Sequence, residues 1–109
     1  MATTRKVLGQ TAPAATTATT LYTVPAATKT VTSTLTVANR GTSATKFRVA
    51  VRPAAATLAN QHYVYYDIEI PSGDTFAATL GLTLAATDVV TVWAGNASLS
   101  FSLFGEEAT

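Results

Sequence analysis

The tightest constraint in this chain is a period of two. Residues 29–39 run Lys-Thr-Val-Thr-Ser-Thr-Leu-Thr-Val-Ala-Asn, with Val31, Ser33, Leu35 and Val37 on one parity and Thr30, Thr32, Thr34 and Thr36 on the other. Successive side chains of an extended strand point to opposite faces, so this alternation predicts a strand with Val31, Ser33, Leu35 and Val37 sharing one face. The pattern recurs. Residues 45–52 set Phe47, Val49 and Val51 inward and Lys46, Arg48 and Arg52 outward, until Pro53 stops the run. Residues 61–70 set His62, Val64, Tyr66, Ile68 and Ile70 against Tyr63, Tyr65, Asp67 and Glu69. Turn residues punctuate the runs at Asn39-Arg40-Gly41-Thr42-Ser43 and at Pro71-Ser72-Gly73-Asp74.

Pairing follows from the same alternation. Antiparallel pairing of 45–52 with 61–70 sets Arg52 opposite Gln61, Arg48 opposite Tyr65 and Lys46 opposite Asp67, with Val49 beside Val64 on the core side. Phe76, Ala78 and Leu80 are out of phase with a tight hairpin, so the chain is expected to cross there to a second sheet, with Leu82 and Leu84 continuing after a kink at Gly81. Residues 89–93 and 98–104 flank Ala94-Gly95-Asn96-Ala97, which predicts a tight hairpin pairing Val92 with Leu99 and Val90 with Phe101. Residues 21–24 form a short strand, and residues 7–20 an extended arm or edge strand. The sum is one all-β domain over 1–109, an antiparallel sandwich of jelly-roll or immunoglobulin-like type. It has seven or eight strands over 21–104 and an N-terminal arm over 1–20.

Composition narrows the function. Charged residues are 12%, about half the usual share of a soluble domain, and Thr and Ala fill the difference. Such a surface suits a protein packed against neighbours. The net charge of +1 gives no reason to expect nucleic acid or anionic membranes as partners. There is no cysteine for a disulfide framework or thiolate metal site. No leader-like run follows Arg5 and Lys6, and no stretch approaches the roughly 20 apolar residues that cross a bilayer.

Each chemically suggestive residue has a structural explanation. His62 is the single histidine, with no nucleophile elbow to serve it. Asp67 and Glu69 sit on one strand face, where salt bridges to Lys46 and Arg48 account for them. A glycosidase pair would flank a cleft, and calcium would want more oxygens. Lys46, Arg48 and Arg52 beside Tyr63 and Tyr65 have the makings of a nucleic-acid platform, but Asp67 and Glu69 neutralise that face. Asn96-Ala97-Ser98 is a glycosylation sequon at a turn. No catalytic residue, cofactor or metal is expected.

What remains is surface. Trp93, Val89 and Phe104 are expected together on the outward face of the last hairpin, to be covered by a neighbouring chain or the N-terminal arm. Trp93→Ala should then cost the fold no more than about 1 kcal/mol. Val7 and Leu8 on the arm, with Tyr63 and Tyr65, complete the candidate interface.

Leu21-Tyr22-Thr23-Val24-Pro25, Thr34-Leu35-Thr36-Val37-Ala38-Asn39-Arg40-Gly41 and Phe47-Arg48-Val49-Ala50-Val51 resemble small virion proteins of tailed bacteriophages. So do Asn60-Gln61-His62-Tyr63, Tyr65-Tyr66-Asp67 and the ending Leu99-Ser100-Phe101-Ser102-Leu103-Phe104-Gly105. The likeness covers nearly everything from Leu21 onward and lies in framework residues. It implies a non-enzymatic structural protein of the virion, made in the host cytoplasm. A capsid decoration (cement) protein on the major capsid protein lattice is the first expectation, self-associating with a trimer favoured. A tail, baseplate or fibre component is the second. Outside the resemblance, a free-standing carbohydrate- or protein-binding module would use Tyr63, Tyr65 and Trp93.

Overall fold

The computed structural model describes residues 2–109. Among them nine strands form two antiparallel sheets: β1 (Thr3–Thr11), β2 (Thr19–Thr23), β3 (Lys29–Asn39), β4 (Thr45–Arg52), β5 (Tyr63–Ile70), β6 (Thr75–Thr79), β7 (Thr83–Leu84), β8 (Val89–Ala94) and β9 (Leu99–Ala108). Sheet A has the order β1-β9-β3-β6, with β7 also on β3; sheet B has the order β2-β8-β4-β5. The all-β sandwich expected from the alternation is what the chain forms, and β3 and β4 keep their predicted bounds.

The core lies between the sheets. Leu35, Val37, Leu99, Phe101 and Leu103 from sheet A meet Phe47, Val49, Ile70, Val90 and Val92 from sheet B, all buried. Phe47 is the centre of an aromatic group, with ring centroids 6.0 Å from Phe101, 5.1 Å from Phe76 and 6.1 Å from Tyr65. One flank of the sandwich is closed where β1 runs over β2. A Cβ on Gly9 would lie 2.1 Å from the Leu21 carbonyl oxygen, so only glycine allows that approach.

Three expectations are corrected. First, β8 and β9 are not a hairpin. β8 pairs with β2 and β4 in sheet B, and β9 with β1 and β3 in sheet A. Residues 95–98 bridge the layers, with the Gly95 amide donating to the Lys46 carbonyl on β4 and the Arg40 amide, just past β3, to the Ser98 carbonyl.

Second, β3 changes face part-way along. Its register on β9 slips between Thr32 and Thr34, an extra residue on one strand that inverts side-chain parity. Leu35 and Val37 point inward as predicted, but Val31 and Ser33 point outward while Thr30 and Thr32 are buried. Third, β5 begins at Tyr63, after a 3-10 turn at Asn60–His62, and carries two irregularities. Tyr65 lies opposite Val49, Ile68 opposite Phe47 and Glu69 opposite Lys46. The strands are antiparallel neighbours as predicted, but Tyr65 packs inward while Val64 and Tyr66 are exposed. Of the two forms expected for the N-terminal segment, the edge strand is the one present: it runs from Thr3 to Thr11, laid on β9, with Ala2 and Thr109 exchanging backbone hydrogen bonds of 3.1 and 2.8 Å. The crossing from β5 to β6 and the kink at Gly81 stand as predicted.

Candidate interaction surfaces

The outer face of sheet B is made by a bulge. Between the Tyr65–Val49 and Ile68–Phe47 pairs, β5 carries two residues, Tyr66 and Asp67, against the single Arg48 of β4. Asp67 takes φ of 52°, a left-handed conformation that aspartate tolerates better than most residues. Both side chains thus meet one guanidinium. Arg48 Nε donates to Asp67 Oδ1 at 2.7 Å, and its guanidinium carbon lies 4.2 Å from the Tyr66 ring centroid.

On the other side, Trp93 of β8 stands directly opposite Arg48, with its ring centroid 3.9 Å from the same carbon. Tyr63 closes the row edge-on against Tyr66, centroids 4.9 Å apart. The hydrogen bond from Arg48 is the main reason the Asp67 carboxyl is held below the usual carboxylate range; in return it raises the Arg48 pKa. Three strands thus deliver an aromatic–guanidinium–aromatic row in which the protein covers its own tryptophan. Beside it, Asn60, Tyr63 and Tyr66 line a shallow hollow.

The outer face of sheet A differs. Val7 of β1, Phe104 of β9 and Thr34 of β3 stand in one register row, and Arg5, Glu106 and Val31 in the next. Val7 and Val31 are about half exposed, at 48% and 50%. Arg5 and Glu106 form a 3.2 Å ion pair on the surface. Phe104, Val31 and Gly105 sit in a groove of about 420 Å³ rimmed by that pair. Among the described residues no cation stacks over Phe104.

A polar cluster lies inside, at the end of the sandwich where β3 has turned its threonines inward. The Tyr22 hydroxyl donates to Glu107 Oε2 at 2.5 Å and lies 2.8 Å from the Thr30 hydroxyl, and Lys6 pairs with Glu107 Oε1 at 3.2 Å. Burial first, and then Glu107, push the Tyr22 phenol up to about 12, while the hydrogen bond from Tyr22 lowers Glu107. His62 is likewise structural: its Nδ1 accepts the Ala59 amide at 3.0 Å.

The candidate interface residues therefore do not form one patch. Trp93 and Tyr63 lie on sheet B's outer face; Phe104 and Val7 lie on sheet A's, on opposite sides of the molecule. Val89, expected beside Trp93 in the open, is 4% exposed. Tyr65 and Leu8 pack against the core. Tyr66 and Val31 are the surface residues missed by alternation alone, because a bulge sets where each one points; Arg48 faces outward as alternation predicts. Asp67–Arg48 is the ion pair expected for that carboxylate, whereas Glu69 stands opposite Lys46 without an ion pair between them among the described residues.

No family model matches the chain, and no curated protein matches it in sequence.

Proposed function

We propose that this chain is a non-enzymatic structural protein of a tailed-phage virion, a capsid decoration protein that docks on the major capsid protein lattice. The observation that carries this reading is the outer face of sheet A. It presents exposed Val7 and Val31 around a half-buried Phe104 on three hydrogen-bonded strands, so the apolar patch is held rigid. A preformed row loses little entropy on docking, and exposed apolar rows of this kind mark contact surfaces. The framework resemblance to small virion proteins supplies the partner class.

Copy number tests it. Quantitative mass spectrometry of purified particles should find the chain in hundreds of copies per particle. A few to some tens of copies would favour a tail, baseplate or fibre component, and absence from particles would overturn the virion reading. One observation favours a second class: the hollow between Asn60, Tyr63 and Tyr66 has the aromatic walls of a binding module. A glycan array with the purified protein addresses it.

A further inference from the structure

A two-sheet sandwich has four edge strands, here β1 and β6 in sheet A and β2 and β5 in sheet B. Free edges invite pairing with another strand unless charge, proline, a bulge or a covering segment blocks them. β1 carries Arg5 and Lys6 and slips register after Val7. β2 slips after Thr20 and has β1 crossing it at Gly9. β5 carries Asp67, Glu69 and two irregularities. β6 has none of these. Residues 75–87 contain no charged residue and no proline, and the β6 register on β3 runs unbroken from Thr75 to Thr79.

The hydrogen bonds tell which groups are free. The Asn39 amide donates to the Asp74 carbonyl at 2.9 Å and the Leu80 amide to the Ser33 carbonyl at 3.1 Å. In an antiparallel ladder, bonded pairs alternate with unbonded ones. Phe76 and Ala78 therefore spend their backbone groups on β3, and Thr75, Ala77 and Thr79 aim theirs away from the sheet. Their side chains are exposed, small and neutral.

This edge is complementary to itself. A twofold axis through Ala77 sets Ala77 against Ala77 of a second copy, and Thr75 against Thr79 of a second copy. The Thr75 amide already donates to Asp74 Oδ1 at 2.8 Å, so the two remaining amides of each copy, on Ala77 and Thr79, meet the Ala77 and Thr75 carbonyls of the other, four bonds in all. Threonine faces threonine and alanine faces alanine on the outer surface, with no like charges brought together. We propose that β6 is a self-pairing edge, through which two copies of this chain join their A sheets into one continuous sheet. A contact of this symmetry closes at two copies, so it does not build the trimer expected from sequence.

Sedimentation equilibrium from about 1 μM to about 1 mM reads the association. The wild-type chain should pass from monomer to dimer across that range. Ala77→Pro removes one outward amide without touching the β3 ladder, so it should weaken the dimer at least tenfold while leaving the monomer folded. A wild-type chain monomeric throughout, a trimer without a dimer, or a dimer indifferent to Ala77→Pro would overturn the proposal. Amide exchange on the wild-type protein decides the matter even if the proline variant fails to fold. Ala77 and Thr79 amides should become protected as concentration rises, with Phe76 and Ala78 protected at all concentrations; concentration-independent exchange at the first two would refute it.

Discussion

The two outer faces start from similar material and end differently. Sheet B's carries Trp93 with Tyr66 and Tyr63, and sheet A's carries Phe104, each in a bed of threonine, serine and small apolar residues. On sheet B the neighbouring strand supplies Arg48, whose guanidinium lies over Trp93 and is itself held by Asp67 and Tyr66. On sheet A the neighbours of Phe104 are Val7 and Thr34, which cover little, and the charged pair Arg5–Glu106 stands one row away. Covering an aromatic group thus depends less on its own burial than on what the opposing strand places against it. On sheet B the guanidinium covers Trp93 while Tyr66 stays 54% exposed; on sheet A Val7 and Val31 stay exposed with no such cover among the described residues.

If that contrast is right, Trp93 contributes to the fold and not chiefly to assembly. Trp93→Ala should cost about 2 kcal/mol, between the cost at exposed and at fully buried sites, read as a shift in urea midpoint. This replaces the smaller effect expected from the sequence. A loss within a few tenths of a kcal/mol would mean the row is loose in solution.

Arg48→Ala should cost about 1.5 kcal/mol through lost stacking and the lost charge-assisted bond, and should move Trp93 fluorescence to the red. Lysine at this position keeps the charge without the planar stack and should recover only part of that. In a double-mutant cycle with Trp93→Ala the two changes should be coupled by about 1 kcal/mol; strict additivity would break the account of a covered tryptophan.

Acid probes the same row more gently. The Asp67 pKa is lower folded than unfolded, so its ion pair stabilises the protein above the ordinary carboxylate range, and that contribution is lost as pH falls through the depressed value. Trp93 fluorescence should follow this titration, and Asp67→Asn should abolish it. A response surviving in Asp67→Asn would point instead to Glu107, also lowered in the fold.

The smallest effect on stability belongs to sheet A. Val7→Thr with Val31→Thr should change stability by no more than about 0.5 kcal/mol but weaken binding to purified capsids, measured by co-sedimentation. Unchanged binding would remove this face from the interface.

How much of this was legible in the sequence depends on what parity can carry. Pairing Val92 with Leu99 and Val90 with Phe101 sets these four on one face, and all four are buried. Yet the hairpin inferred from them was wrong, because the same residues fill the same core whether their strands lie side by side or face to face. Gly95-Asn96 marks a reversal; nothing local says whether the chain returns in its own sheet or crosses to the other. Bulges set the second limit. One extra residue inverts every later side chain, so reading alternation straight through Ser33 misplaced Val31, and reading it through Tyr66-Asp67 misplaced Tyr65 and hid the Arg48 row. Aspartate at a bulge is permitted but not required, and no residue type announced it.

The pairing of β1 and β3 with β9 also fixes an order of events. β9 is the last strand of the chain and the one on which sheet A is assembled, while β1 is the first. During synthesis, β1 and β3 emerge before β9, the strand that joins them, and until β9 is made β3 has only β6 and β7 to pair with. Closing so long a loop precedes any reward from the contacts it makes, which places folding in the slow, millisecond-to-second range of β-rich domains. For that interval Val31, Leu35 and Val37 are without β9 on one side. The spaced threonines of β3, which lower the hydrophobicity of that segment, would then matter most before the protein has folded.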